Sequence, residues 1–136
     1  MTTGIWVEGP PHPKGRIPET HRALLRQRLE RHVEQHWSKE CGGILLRFRG
    51  PYAYVDALPV ERDYPEGLKG EPGELEATPV QLCRLGYLGS NHRWAFAFFK
   101  YSDECYEPSV LPSGQFAGEP EEAFDCAAAV YLAGGF

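Results

Sequence analysis

The chain has 136 residues and a formal net charge of −5, with 42% hydrophobic residues, seven Phe, seven Tyr and three Trp. That is one domain's worth of protein, long enough to bury a core without disulfide or metal staples, and too apolar to be disordered throughout. No apolar run approaches the roughly 18 residues of a membrane helix, Met1-Thr2-Thr3-Gly4 does not read as a signal peptide, and the acidic balance argues against a protein that coats nucleic acid.

Gly4 to Glu8 reads as a short edge strand, followed by an extended lead-in over residues 9–16 that holds Pro10, Pro11 and Pro13. From Pro18 to Trp37 the pattern is helical. Leu25, Leu29, Val33 and Trp37 recur every four residues, Leu24 widens the stripe, and Gly42-Gly43 stop it. The period then changes. Ile44–Arg49 and Tyr52–Leu58 alternate around Gly50-Pro51, which predicts a hairpin.

Residues 59–79 form a long acidic surface loop with six acids and two bases. That loop accounts for −4 of the net −5 and leaves the rest near neutral at −1, so an anionic partner stays open. A second hairpin is expected from Gln81–Tyr87 and Arg93–Tyr101, with a short helix at Pro79–Leu88 as the rival reading. Ser109–Leu111 and Gln115-Phe116 flank Pro112-Ser113-Gly114 and suggest a third, small hairpin. Glu119 to Leu132 closes the chain as a helix with Pro120 in its first turn, and Gly134-Gly135 ends it. The fold expected is α+β: an antiparallel meander of four to six strands packed with an N-terminal and a C-terminal helix, in one domain spanning 1–136.

Strand alternation sorts the side chains. One register carries Leu46, Phe48, Val55, Cys83, Leu85, Tyr87, Trp94, Phe96 and Phe98 and should face the helices. The other carries Arg47, Arg49, Tyr52, Tyr54, Asp56, Arg84, Ala95, Ala97, Phe99 and Tyr101. Arginine beside flat aromatic rings is what a sheet needs to hold anionic oxygens and stack planar groups. It is equally what a covered face or a homodimer seam looks like. Arg47, Arg49, Tyr54, Arg84 and Tyr101 are therefore the candidate ligand-binding residues. The assignment assumes no bulge, since one slip exchanges the faces.

Three weaker constellations stand beside it. His32 and His36 share one side of the first helix and Cys41 follows, a set that holds three zinc-ligand types. The Glu that a zinc protease carries after its first His is replaced by Val33, and satisfied boundary histidines are the plainer reading. Asp103, Glu104 and Glu107 leave the most aromatic strand in a polar loop and could act as general acid and base or hold a cation. A solvated turn with its tyrosines packed back is the plainer reading there, and Cys105 between carboxylates is a poor nucleophile. Apolar residues run nearly all round the last helix, which means deep burial or a homodimer seam.

Arginine outnumbers lysine ten to four beside one Asn and four Gln, a bias that fits GC-rich coding first and thermal robustness second. The four cysteines have no metal-binding or disulfide-framework spacing, so they read as free thiols in a reducing cytoplasm, with one chance pair left open.

Leu46–Asp56, Thr78–Leu85 and Arg93–Asp125 resemble segments of small uncharacterised bacterial proteins over about half the chain. The resemblance implies a compact bacterial domain and no catalytic residue. The expectation is a soluble cytoplasmic binding or interaction protein that uses its Arg/Tyr sheet face or its C-terminal helix. Its partners would be a second copy of the chain, an anionic ligand or a nucleic acid, with no membrane and no cofactor. A small hydrolase or metal-assisted enzyme built on residues 103–107 is the competing reading.

Overall fold

The computed structural model describes residues 10–60 and 78–132. The expected strand at residues 4–8, most of the acidic loop and the Gly134-Gly135 stop lie outside the described residues.

Helix α1 runs Glu19–His36. Leu25, Leu29 and Val33 are its buried stripe, and burial of each stabilises by about 1.5–3 kcal/mol. Leu24, expected to widen that stripe, stands 44% exposed instead. The stripe widens on its other flank, where Arg28 and His32 turn polar ends toward the second helix.

Strands β1 (Gly43–Arg49) and β2 (Tyr52–Leu58) form the expected hairpin, and Gly50 turns it with φ +57°, a backbone region that favours glycine. Strands β3 (Val80–Ser90) and β4 (Arg93–Lys100) form the next one, which sets aside the rival short helix over residues 79–88. Strand β5 (Cys105–Pro108) folds back on β4, so the sheet order is β1-β2-β3-β4-β5, antiparallel throughout. The two residues of β6 (Ala117–Gly118) pair with the other end of β4. Helix α2 (Pro120–Tyr131) packs beneath β3 and β4, alongside α1. Both helices cover one face of one sheet, so the fold is α+β in two layers.

The third hairpin is corrected. Its turn exists: the Leu111 N–H bonds to Gln115 O at 2.8 Å and the Gly114 N–H to Leu111 O at 2.8 Å. Its flanks do not extend into a ladder, because both turn to β4: the Ser109 N–H bonds to Phe96 O at 3.2 Å and the Phe96 N–H to Phe116 O at 2.8 Å. The pairing moves outward to β5 and β6, which share the edge of β4.

The face assignment holds because one bulge absorbs the slip. Val55 pairs with Cys83 but Asp56 pairs with Gln81, which leaves Leu82 as the extra residue. Leu82 and Cys83 are both fully buried, while Asp56 and Gln81 stay on the Arg/Tyr face.

A polar seam locks the helices together. Arg28 donates to Glu121 at 2.6 and 2.8 Å, to Glu119, and to the Asn91 carbonyl at 2.6 Å. Its side chain is only 24% exposed, so these bonds are partly shielded from water. Replacement Arg28→Ala is expected to cost about 2 kcal/mol, since four acceptor atoms on three residues lose a charged donor at once. Urea unfolding checks this: the midpoint falls with an unchanged slope, and a loss under about 0.5 kcal/mol would place Arg28 among ordinary surface pairs.

Candidate functional site

The pairing register brings Arg47, Tyr54 and Arg84 into one row across β1, β2 and β3, and the row continues through Ala97 to Pro108. The neighbouring row is Arg49, Tyr52, Gly86 and Ala95. Arginine and tyrosine thus alternate from strand to strand across β1, β2 and β3, on the face away from the helices. The Arg84 guanidinium lies 4.2 Å from the Tyr52 ring centre and 5.8 Å from that of Tyr106. Arg47 lies 5.5 Å from the Tyr54 ring, and Tyr54 meets Tyr106 edge-on at 5.1 Å. Each guanidinium–ring contact contributes about 0.5–1 kcal/mol and holds the cation in a fixed orientation.

The charges are unevenly matched. Arg47 lies 3.5 Å from both oxygens of Asp56, and its side chain is 51% exposed. Arg84 is half-buried, and among the described residues it has no carboxylate partner. Asp56 is the one buried charged side chain among the described residues. Burial raises its carboxyl above the usual range, and Arg47 offsets only part of that.

The remaining expected binding residues sit at the two ends of the face. Arg49 is exposed at the end of β1. Tyr101 lies past the far end of β4, where its hydroxyl donates to Gln81 O at 3.0 Å and its ring meets Phe99 and Tyr131. It does not join the arginine row. Two contributors were not singled out from the sequence. Tyr106 falls in a segment read as a turn, although its alternation with Pro108 and the long free edge of β4 are signals for a strand. Tyr52 was sorted to the correct face, and its stacking on Arg84 depends on the register.

The proline-rich lead-in crosses this face. Ile17 is buried and its N–H reaches Gly50 O at 3.4 Å. Pro13 lies directly on Gly86, where any side-chain carbon would overlap the proline ring. Glycine inside a central strand costs stability unless another group approaches closely, and here one does. Between lead-in and sheet lies a cavity of about 200 Å³ bounded by Pro10, Pro11 and Pro13, by Tyr52 and Arg84, and by Pro108 and Phe116.

The other constellations are arranged differently. Lys100 bridges Asp103 at 3.3 Å and Glu107 at 3.0 Å, which keeps its ammonium charged; Glu104 turns the exposed loop with φ +51°, and Cys105 is exposed beside it. His32 Nε2 is 2.6 Å from Asp125 Oδ1, which also accepts the Trp37 indole N–H at 2.7 Å. His36 is exposed with its ring 4.8 Å from that of His32. Cys41 is buried, its thiol donates to Gly43 O at 2.8 Å, and burial raises its pKa. His32, His36 and Cys41 are not gathered, and among the described residues no three His, Cys, Asp or Glu side chains are placed to hold a metal. The helix α2 buries Ala123, Phe124, Ala127 and Ala128, leaving Ala129 and Val130 exposed.

No family model, curated protein or solved structure matches the chain. Among the described residues no helix is long and apolar enough to cross a membrane.

Because burial favours the neutral Asp56 carboxyl, the group stabilises the fold when protonated and loses that contribution as pH rises through its raised folded value. Asp56→Asn should therefore be more stable than the parent at pH 7, and the gain should shrink as pH falls toward about 4. Thermal melts of both proteins across that range check the sign. An equal difference at every pH, or a loss at pH 7, would contradict it.

Proposed function

We propose that the chain is a binding protein, not an enzyme, and that it takes an anionic ligand on the Arg/Tyr face of its sheet. The observation that supports this most is Arg84: a half-buried guanidinium, held over the Tyr52 ring at 4.2 Å, with no carboxylate partner among the described residues. Half-burial strips water from a cation, and a fixed orientation lets it meet an incoming anion at small entropic cost. Arg47 supplies a second charge in the same row, and Tyr52, Tyr54 and Tyr106 supply flat apolar surface around it.

The competing readings have less behind them. The acids at 103 and 107 are committed to Lys100, and none of the described cavities is lined by them. The last helix spends most of its apolar girth on β3, β4 and α1, which leaves little for a second copy of the chain. A reducing cytoplasmic setting belongs to the same proposal, since Cys41, Cys83, Cys105 and Cys126 are all free.

The test is an amide NMR screen of the labelled chain against aromatic carboxylates and nucleoside monophosphates. Anionic members should shift signals of β1, β2 and β3 around Arg47, Tyr54 and Arg84, and added salt should weaken them. The double replacement Arg47→Ala with Arg84→Ala should abolish those shifts and leave the chain folded, with the melting temperature lowered by about 5–10 °C through loss of three cation–ring contacts and the Arg47–Asp56 pair. Shifts confined to α2 or to residues 101–107, or binding unchanged in the double variant, would overturn the proposal.

A further inference from the structure

We infer that the cavity between the proline-rich lead-in and the sheet binds a small aromatic carboxylate, with its carboxylate on the Arg84 guanidinium and its ring between proline and tyrosine faces. The inference rests on the anion-binding reading above and adds where on the face the ligand sits, what roofs it and what it is.

Size decides first. Sites for drug-sized ligands run to about 300–1,000 Å³. This cavity holds about 200 Å³, room for a single ring with a short acidic arm and not for a nucleotide or a stretch of nucleic acid. The lining decides next. Pro10, Pro11, Pro13, Pro108 and Phe116 present apolar, mostly flat surface, so the body of the ligand must be apolar and flat. Arg84 is the one arginine or lysine on the wall, and His12 of the lead-in is the other ionisable side chain there. A single guanidinium fork matches a single carboxylate in two parallel hydrogen bonds, whereas a phosphate dianion would bring more charge than one arginine offsets.

The roof is built in. Prolines hold the lead-in extended at little entropic cost, Ile17 anchors one end in the core, and Pro13 seats on the sheet only because residue 86 is glycine. A bare sheet face would expose Arg84 to water on one side. The lead-in closes that side and turns a shallow face into a pocket.

The probe is benzoate, with its neutral isostere benzamide and inorganic phosphate as controls, titrated into the whole chain and followed by amide NMR. Benzoate should shift signals of Arg84, Ala95, Ala97 and His12, and benzamide and phosphate should bind at least tenfold more weakly. Arg84→Gln should weaken benzoate at least tenfold. Gly86→Ala pushes Pro13 off the sheet and should do the same while Arg47 and Tyr54 stay in place. Should Gly86→Ala unfold the chain, the double replacement Pro11→Ala with Pro13→Ala removes the roof without adding an atom to the strand, and the same tenfold loss is expected. Benzoate that binds Gly86→Ala or the proline variant as tightly as the parent would overturn the roofed pocket and leave the open Arg/Tyr face standing. An anion that binds through Arg47 with Arg84→Gln unaffected would likewise overturn the pocket alone. Failure of every anion to bind the parent chain would overturn both.

Discussion

A sheet with both helices on one side has to finish its other side without a third layer. In this chain α1 and α2 spend their apolar faces on the same surface of β1 to β4, and Trp94, Phe96, Leu85 and Val55 meet them there. What remains is a surface of alternating arginine and tyrosine. Those side chains cover the backbone by lying on one another: Arg84 on Tyr52, Arg47 on Tyr54, Tyr54 against Tyr106, and Tyr106 against Phe99. Lateral stacking hides aromatic area from water, with Arg47 left exposed and Arg84 half-buried. The proline lead-in then covers one end. The candidate site is a consequence of that arrangement.

The helix layer needs a different solution, because α1 is only narrowly apolar. Three residues carry its stripe, and its flank toward α2 is polar. The chain meets this with charge-assisted bonds in place of a wider apolar contact. Arg28 takes Glu119 and Glu121, while His32 and Trp37 share one oxygen of Asp125. All three acids come from α2 or the residue just before it, so the seam fixes how the helices sit together as well as holding them. His32 is thereby used as a structural partner between the two helices, while His36 stands exposed beside it.

Much of this was legible in the sequence, and the exceptions share a cause. The helices and both long hairpins follow from periods of 3.6 and 2, which are local properties. The face assignment also held, since alternation from Leu46 to Phe98 is strict wherever pairing is regular. What failed is decided between distant segments. Strand β5 exists because β4 has an edge to fill, and the alternation of Tyr106 with Pro108 is too short a signal to announce it alone. The bulge at Leu82 exists because Leu82 and Cys83 both go inward, which alternation alone forbids. The reason for a glycine at residue 86 is Pro13, 73 residues upstream and out of reach of any local pattern. The site shows the same division: Arg47, Tyr54 and Arg84 were found by parity, whereas Tyr106 and the proline roof came only with the tertiary contacts.

That contact between Pro13 and Gly86 also bears on how the proposed ligand would couple to the fold. The lead-in touches the sheet through one proline seated on one glycine, with Ile17 as the anchor behind it. A ligand that fills the space beneath the lead-in adds contacts to both lead-in and sheet, and stabilises the closed arrangement by its own affinity. Arg84 strengthens this coupling because its charge is already oriented by Tyr52 and needs no reorganisation to meet a carboxylate. The aromatic row that finishes the sheet and the guanidinium that receives the anion are therefore one construction, with the same stacking responsible for both.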